Sequence, residues 1–326
     1  MHVSVSPIEG GQGADGGGPA GGASELRRLP WHRPLEVARA CLDMTKYRLS
    51  SLVAFTAGAG TLLATPAAPE SVASSLDLAL LGWTSLGTVL AAFGANAANQ
   101  CLEIERDERM ERTQSRPLPS GRLSPLAGAV WATSLLAAGV GLLAVQAGAL
   151  PAGLALLVAV LYVGLYTPLK PRTSLNTLVG AVCGAIPPMI GWAAVEGRLS
   201  GGAWLLFAVL FVWQIPHFLA IDWFHRDDYG RGGYRMASSV DPSGELSANP
   251  AVFYCLALIP ITLLGPTVGL GGMLYVMGAV TLGLAFLALS LVLFATRSRA
   301  AARGLFFGSL AYLPLLLALM ILDPTA

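Results

Sequence analysis

Asn99, Glu103 and Asp107 recur at intervals of four residues where a long apolar stretch ends. On a helix each step of four turns by about 40°, so the three share a stripe about 80° wide and roughly 12 Å long. An amide oxygen and two carboxylates are hard donors. Mg2+ takes such a set when it binds through one or two carboxylates and completes its shell with water and substrate phosphates. A solvated helix end laced with Glu–Arg pairs would also look like this, and Glu105, Glu108 and Glu111 suit that description. Just downstream, Arg112 and Arg116 follow the acids, and Pro117 and Pro119 stiffen the turn that carries them. Guanidinium groups grip phosphate oxygens in pairs, so acids and arginines together describe a diphosphate site. A basic loop that serves only membrane topology is the alternative.

Two further clusters have the same character. Residues 166–176 bring Tyr166, Lys170 and Arg172 together at a helix start, and the next apolar stretch contains Gly180, Gly184, the adjacent Pro187 and Pro188, and Gly191. Small residues allow close helix packing. Adjacent prolines imply irregular backbone, which a membrane tolerates where it lines a cavity. The last cluster runs from Trp213 through His217 and Asp222 to Asp227 and Asp228. If one helix continues throughout, His217 and Asp228 differ in direction by about 20° and share a face. Asp228, with Asp227 beside it, is then a second acidic patch. Asp222 is expected to pair with Arg226, four residues on. His217, beside Trp213, is a candidate for contacting a substrate.

These residues need elements to position them, and the composition says which. Hydrophobic residues make up 54% of the 326, charged residues only 12%, and mean hydropathy is +0.63; soluble domains carry about a quarter charged residues. Apolar stretches long enough to cross a bilayer fall at about 48–66, 79–102, 124–146, 149–166, 174–195, 203–224, 250–270, 272–295 and 304–322. Nine crossings put 19 of the 20 lysines and arginines on one side and leave Arg198 alone on the other. The positive-inside rule assigns the charged side, the N-terminus and all three clusters to the cytoplasm. A formal charge of +1 gives no reason to expect nucleic acid. The four cysteines are widely spaced and read as small buried residues, with neither a disulfide nor a zinc site. Residues 1–30 are Gly- and Ala-rich, with no apolar core of a signal peptide, and read as a disordered cytosolic tail preceding one membrane domain, residues 31–326. Residues 1–24 lack Lys and Arg, unlike a mitochondrial leader, which points to a bacterial inner membrane.

The chain resembles the UbiA-type intramembrane prenyltransferase superfamily and, within it, the protoheme IX farnesyltransferase (heme O synthase) family. The residues that carry the resemblance are Leu42-Asp-Met-Thr45-Lys46, Asn99-x3-Glu103-x3-Asp107, Met110-x-Arg112-Thr113-x2-Arg116-Pro117-Leu118, Tyr166-Thr-Pro-Leu-Lys170, Asn176 to Trp192 with its glycines and prolines, Trp213-x2-Pro216-His217-Phe218, and Asp227-Asp228-Tyr229-x2-Gly232-Gly233-x2-Met236. It covers about residues 38 to 320. Tyr47 stands where that family usually has proline, and Glu103 where many members have aspartate.

The resemblance implies an all-α membrane fold, about nine helices around a central cavity. It implies farnesyl diphosphate and protoheme IX (heme B) as substrates and Mg2+ as cofactor. Heme O would be the product, with heme A synthase or an oxidase assembly factor as the protein partner. Asn99 and the acids Glu103, Asp107, Asp227 and Asp228 would hold Mg2+, and Arg112, Arg116, Lys170 and Arg172 the diphosphate. Tyr166 and Trp213 would face an allylic cation, with His217 as the candidate to take the proton of the added water. A quinone- or lipid-precursor prenyltransferase of the same superfamily and a polytopic transporter are the alternatives. Arg226 occupies the position where the former typically carries a second aspartate, four residues after Asp222, and no inverted repeat favours the latter.

Overall fold

In the computed structural model, residues 34–65 and 77–324 are described, and they contain helices and turns but no strands. The expected tail lies outside the described residues. Among the described residues eight helices are long and apolar enough to cross a membrane, so the chain is a multi-pass membrane protein. A helix on the loop side, α1 (Pro34–Met44), precedes α2 (Tyr47–Ala64), which fills the place of the first expected crossing. There follow α3 (Leu78–Leu102), α4 (Pro125–Gln146), α5 (Ala149–Leu169), α6 (Asn176–Ala185), α7 (Pro187–Glu196), α8 (Gly201–Phe224), α9 (Glu245–Thr262), α10 (Met273–Thr296) and α11 (Arg299–Leu322).

Local chemistry sets many of the boundaries. Asp77, Ser124 and Ser298 accept backbone N–H groups at the starts of α3, α4 and α11, satisfying donors that have no intrahelical partner. The sixth and seventh helices form one crossing broken at Ile186, because Pro187 opens a new helix. Helix α5 runs past its expected end to Leu169, through a π-helical stretch over Val160–Tyr166. Pro168 has no N–H to give to the preceding turn, and the Thr167 N–H and hydroxyl both donate to the Tyr162 carbonyl. The seventh expected crossing shifts toward the N-terminus. Gly244, with φ 83°, starts α9 at Glu245, and the stretch after Thr262 becomes a short 3-10 turn, Gly265–Val268.

The helices pack as a ring, α2–α3–α4–α5–α6/α7–α8–α9–α10–α11, and α11 closes back onto α2. Two-thirds of the residues in α8 and in the α6–α7 crossing are buried, against 22% in α4 and α5, so the former are the inner helices. Small residues bring neighbours together at backbone distance. A Cβ on Gly191 would lie 1.9 Å from the Ala57 carbonyl oxygen, and one on Gly60 2.1 Å from that of Pro188, which locks α7 against α2.

Because backbone cannot yield as a side chain can, Gly191→Ala is expected to lower stability by at least about 1–3 kcal/mol, the usual range for overpacking. Gly141→Ala, where a Cβ meets nothing within 4 Å, is expected to be neutral or to stabilise by up to about 1 kcal/mol through helix propensity. Thermal unfolding of the two variants in detergent checks the contrast.

Candidate active site at the charged mouth of the cavity

The Asn99–Glu103–Asp107 motif does not stay on one helix. Helix α3 ends at Glu103, whose φ of −108° turns the chain into a short helix, Ile104–Asp107. The break keeps all three acceptors inward: Asn99 and Asp107 are 0% exposed and Glu103 4%. Glu105, Glu108 and Glu111 point outward.

Each acceptor meets a different cation. Lys46 Nζ donates to Asn99 Oδ1 at 2.8 Å. Lys170 Nζ donates to Glu103 Oε1 at 2.8 Å. Arg116 Nη1 donates to Asp107 Oδ2 at 2.6 Å. The cations come from the α1–α2 junction, the end of α5 and the arginine loop, so three separate segments converge on one acidic helix end. Burial alone would raise the Glu103 carboxyl above its ordinary range, but the ammonium groups of Lys170 and Lys46 outweigh it and hold it below. Burial lowers the Lys46 ammonium to about 7, assisted by the positive charges of Arg116 and Lys170. Burial also opposes charge on Lys170, yet Glu103 keeps its pKa raised. Lys170 further lies over the rings of Tyr166, at 4.7 Å, and Tyr234, at 5.6 Å.

Asp107 Oδ1 is buried with no hydrogen-bond partner. Among the described residues no three His, Cys, Asp or Glu side chains form a metal-holding group by themselves. An unpartnered carboxylate oxygen beside a second carboxylate and an amide oxygen fits a divalent cation that arrives with phosphate oxygens of its own.

Beneath this mouth lies an apolar cavity lined by Leu52, Val53, Ala95, Val158, Leu210 and Leu313, among others. Polar groups join mouth and cavity. Asn99 Nδ2 donates to Thr167 Oγ1, and Tyr162 donates its hydroxyl to Asn96 Oδ1 at the cavity wall. Tyr162 and Tyr166 stack 5.3 Å apart on the π-helical turn and face the same space. Pro187, Gly180 and Gly184 line it too, as the irregular backbone implies. A Cβ at Gly184 would sit 2.1 Å from Gln214 Oε1, so glycine there leaves room for the amide. Trp213 and His217 stack at 5.1 Å and both bond to Ser309, the indole to its carbonyl and the imidazole to its hydroxyl.

The other residues singled out in the sequence stand apart. The chain breaks at His225 after α8, so His217 and Asp228 do not share a helix face; Asp228 belongs to a separate short helix, Arg226–Arg231. It accepts from Arg231 at 2.7 Å and from the Glu111 N–H at 3.1 Å, tying the two acidic loops together. Asp227 is exposed and pairs with Arg299 and Arg226. Asp222 does not pair with Arg226. It accepts from the Ser238 backbone at 2.8 Å and from the Ser238 hydroxyl, and Arg226 stacks on Trp223 instead. Arg172 bonds the Pro168 carbonyl at the rim, and Arg112 reaches Asp228 only at 3.8 Å. Lys46 and Tyr234 had no role assigned from sequence. Lys46 lies within a motif of the resemblance, but its left-handed backbone, φ 48°, which aims it at Asn99, is not legible there. Ser309, 92 residues from its partner His217, gave no signal.

The arrangement has relatives. The UbiA prenyltransferase family matches residues 52–313. A solved structure of a digeranylgeranylglyceryl phosphate synthase superposes with a TM-score of 0.72 at 14% identity, covering 88% of this chain and 98% of that one. A UbiA homologue from Archaeoglobus fulgidus, bound to GPP and Mg2+, gives 0.57 at 12% identity over 86% and 99%. The chain belongs to the UbiA prenyltransferase family: it is a membrane-embedded transferase. A protoheme IX farnesyltransferase from Solibacter usitatus (strain Ellin6076) is 41% identical over 287 residues, 87% of this chain and 98% of the relative. The chain's branch of the family is therefore that of the protoheme IX farnesyltransferases.

Lys46→Gly separates function from folding at the mouth. Glycine adopts a left-handed backbone without strain, which offsets part of the stability lost when the buried Asn99 Oδ1 loses its donor, so the thermal midpoint should fall only slightly, while turnover falls at least about tenfold as the cation facing Asn99 is lost. A much lowered midpoint with unchanged turnover would make Lys46 structural.

Proposed function

We propose that the protein transfers the farnesyl group of farnesyl diphosphate to a vinyl group of protoheme IX, with addition of water, giving heme O. We infer that it does so in a bacterial inner membrane with its charged end in the cytosol. The observation that carries this reading is the meeting of three cations and three buried oxygen acceptors with an apolar cavity directly beneath them. A prenyl diphosphate is that shape: a multiply charged head on an apolar chain. Heme as the acceptor rests on the relatives.

The head would lie among Lys46, Arg116 and Lys170, and the chain between α2, α3, α5, α6 and α8. Mg2+ would be held by Asp107 and Glu103 with Asn99 beside them, and would supply the charge neutralisation that lets diphosphate leave. As the diphosphate head arrives, Lys46, Lys170 and Arg116 exchange protein acceptors for phosphate oxygens, and the released carboxylates become available to the ion. Tyr162 and Tyr166 present ring faces to the allylic cation that forms when the C1–O bond breaks. The terminal vinyl carbon attacks that C1, the positive charge moves to the carbon next to the porphyrin, and water adds there and loses a proton. His217, held by Ser309, is placed on the cavity wall to receive substrate in a fixed orientation. Asp228 and Asp227 contribute at a distance, Asp228 by fixing the loop that carries Arg116. Asp222 is occupied by Ser238, so the second aspartate pair typical of quinone-precursor enzymes is not available here.

Purified protein given protoheme, farnesyl diphosphate and Mg2+ should yield heme heavier by one farnesyl group and one hydroxyl, measured by mass spectrometry, and EDTA should stop the reaction. Prenylation of 4-hydroxybenzoate with heme untouched would keep the family and reject the acceptor.

A further inference from the structure

A second pocket, of about 490 Å3, opens at the charged end between the close of α8, the start of α11 and the arginine loop. That volume lies in the ~300–1,000 Å3 range of small-molecule sites. Its walls are Phe224, His225, Phe306 and Phe307, with Arg112 and Arg303 from two separate elements. Arg303 stacks on Phe224 at 4.7 Å and makes no ion pair among the described residues. Arg112 has a carboxylate only at 3.8 Å, and that carboxylate is already engaged by Arg231. Phenyl rings and two under-used guanidinium groups suit a flat apolar molecule carrying two carboxylates: rings pack on its face, and each guanidinium takes one carboxylate in a forked contact. A lipid phosphate would satisfy the arginines but would leave the aromatic wall without a planar partner. The pocket adjoins the cavity through one ring contact. The Phe306 ring lies 5.2 Å from that of His217, and His217 faces the cavity.

We propose that this pocket docks the acceptor: protoheme lies against Phe224, Phe306 and Phe307, places its propionates on Arg112 and Arg303, and directs a vinyl edge past Phe306 toward His217 and the cavity. The inference rests on protoheme being the acceptor, and it moves Arg112 from the diphosphate to the porphyrin. The test is hemin titrated into the full chain in phosphatidylcholine nanodiscs and followed by the Soret band, with farnesyl diphosphate affinity measured alongside. Arg303→Gln should weaken hemin binding about tenfold, the size of one charged contact, and leave farnesyl diphosphate affinity unchanged. Arg303→Lys should recover part of the loss. Hemin esterified at both propionates should bind wild type and Arg303→Gln alike. Equal hemin affinity in wild type and Arg303→Gln overturns the placement while leaving the reaction intact. An effect seen only when phosphatidylglycerol is added assigns Arg303 to lipid and overturns it too. If wild type binds no hemin, both the placement and the heme reading fail.

Discussion

Charge compensation where α3 ends is the constraint on which the rest of this structure depends. Two carboxylates and an amide are buried at the edge of the apolar interior, where an unpaired charge is too costly to persist. Breaking such a pair costs about 3–5 kcal/mol, so Lys46, Lys170 and Arg116 must be delivered accurately. Their delivery explains much of the loop architecture. The left-handed turn at Lys46, the π-helical end of α5 and the proline-stiffened arginine loop each end on one acceptor. The loops then brace one another. Arg106 donates to the Gly232 and Gly233 carbonyls, and Arg235 N–H donates to that of Lys170.

A cluster compensated in this way is poised for exchange. The same cations that satisfy the protein's acceptors can satisfy a diphosphate, and the acceptors they release can take a divalent ion. The unpartnered Asp107 Oδ1 is the part of the cluster that the protein leaves open. Below it, backbone-close packing at Gly60 and Gly191 locks α7 against α2, whose Leu52 and Val53 line the apolar cavity.

Much of this was legible in the sequence, because membrane helices announce themselves by length and apolarity, and charged residues at their ends by their cost. Helices α2, α3, α4, α6–α7, α8, α10 and α11 lie within five residues of the expected crossings; α5 runs on to Leu169 and α9 shifts toward the N-terminus because proline and glycine reset the backbone. The acceptor positions of Asn99, Glu103 and Asp107 were readable from spacing. Their partners were not, since Lys46 and Lys170 reach them from 53 and 67 residues away. The extrapolated helix through His217 and Asp228 failed because nothing local in the sequence marks the break at His225. Asp222 was assigned to the wrong partner for a related reason. A neighbour four residues on was visible, but Ser238, brought back by a loop, was not.

If the cluster works by exchange, Glu103 competes with diphosphate for Lys170 until a divalent ion takes the carboxylate. Binding of an unreactive farnesyl thiolodiphosphate to wild type and Glu103→Gln, with and without Mg2+, tests it most directly. Without Mg2+, the substitution should tighten binding, because it frees Lys170 and removes a repelling charge; with Mg2+, it should weaken binding about tenfold or more through loss of an ion ligand. Weakening by the same factor in both conditions would contradict the account.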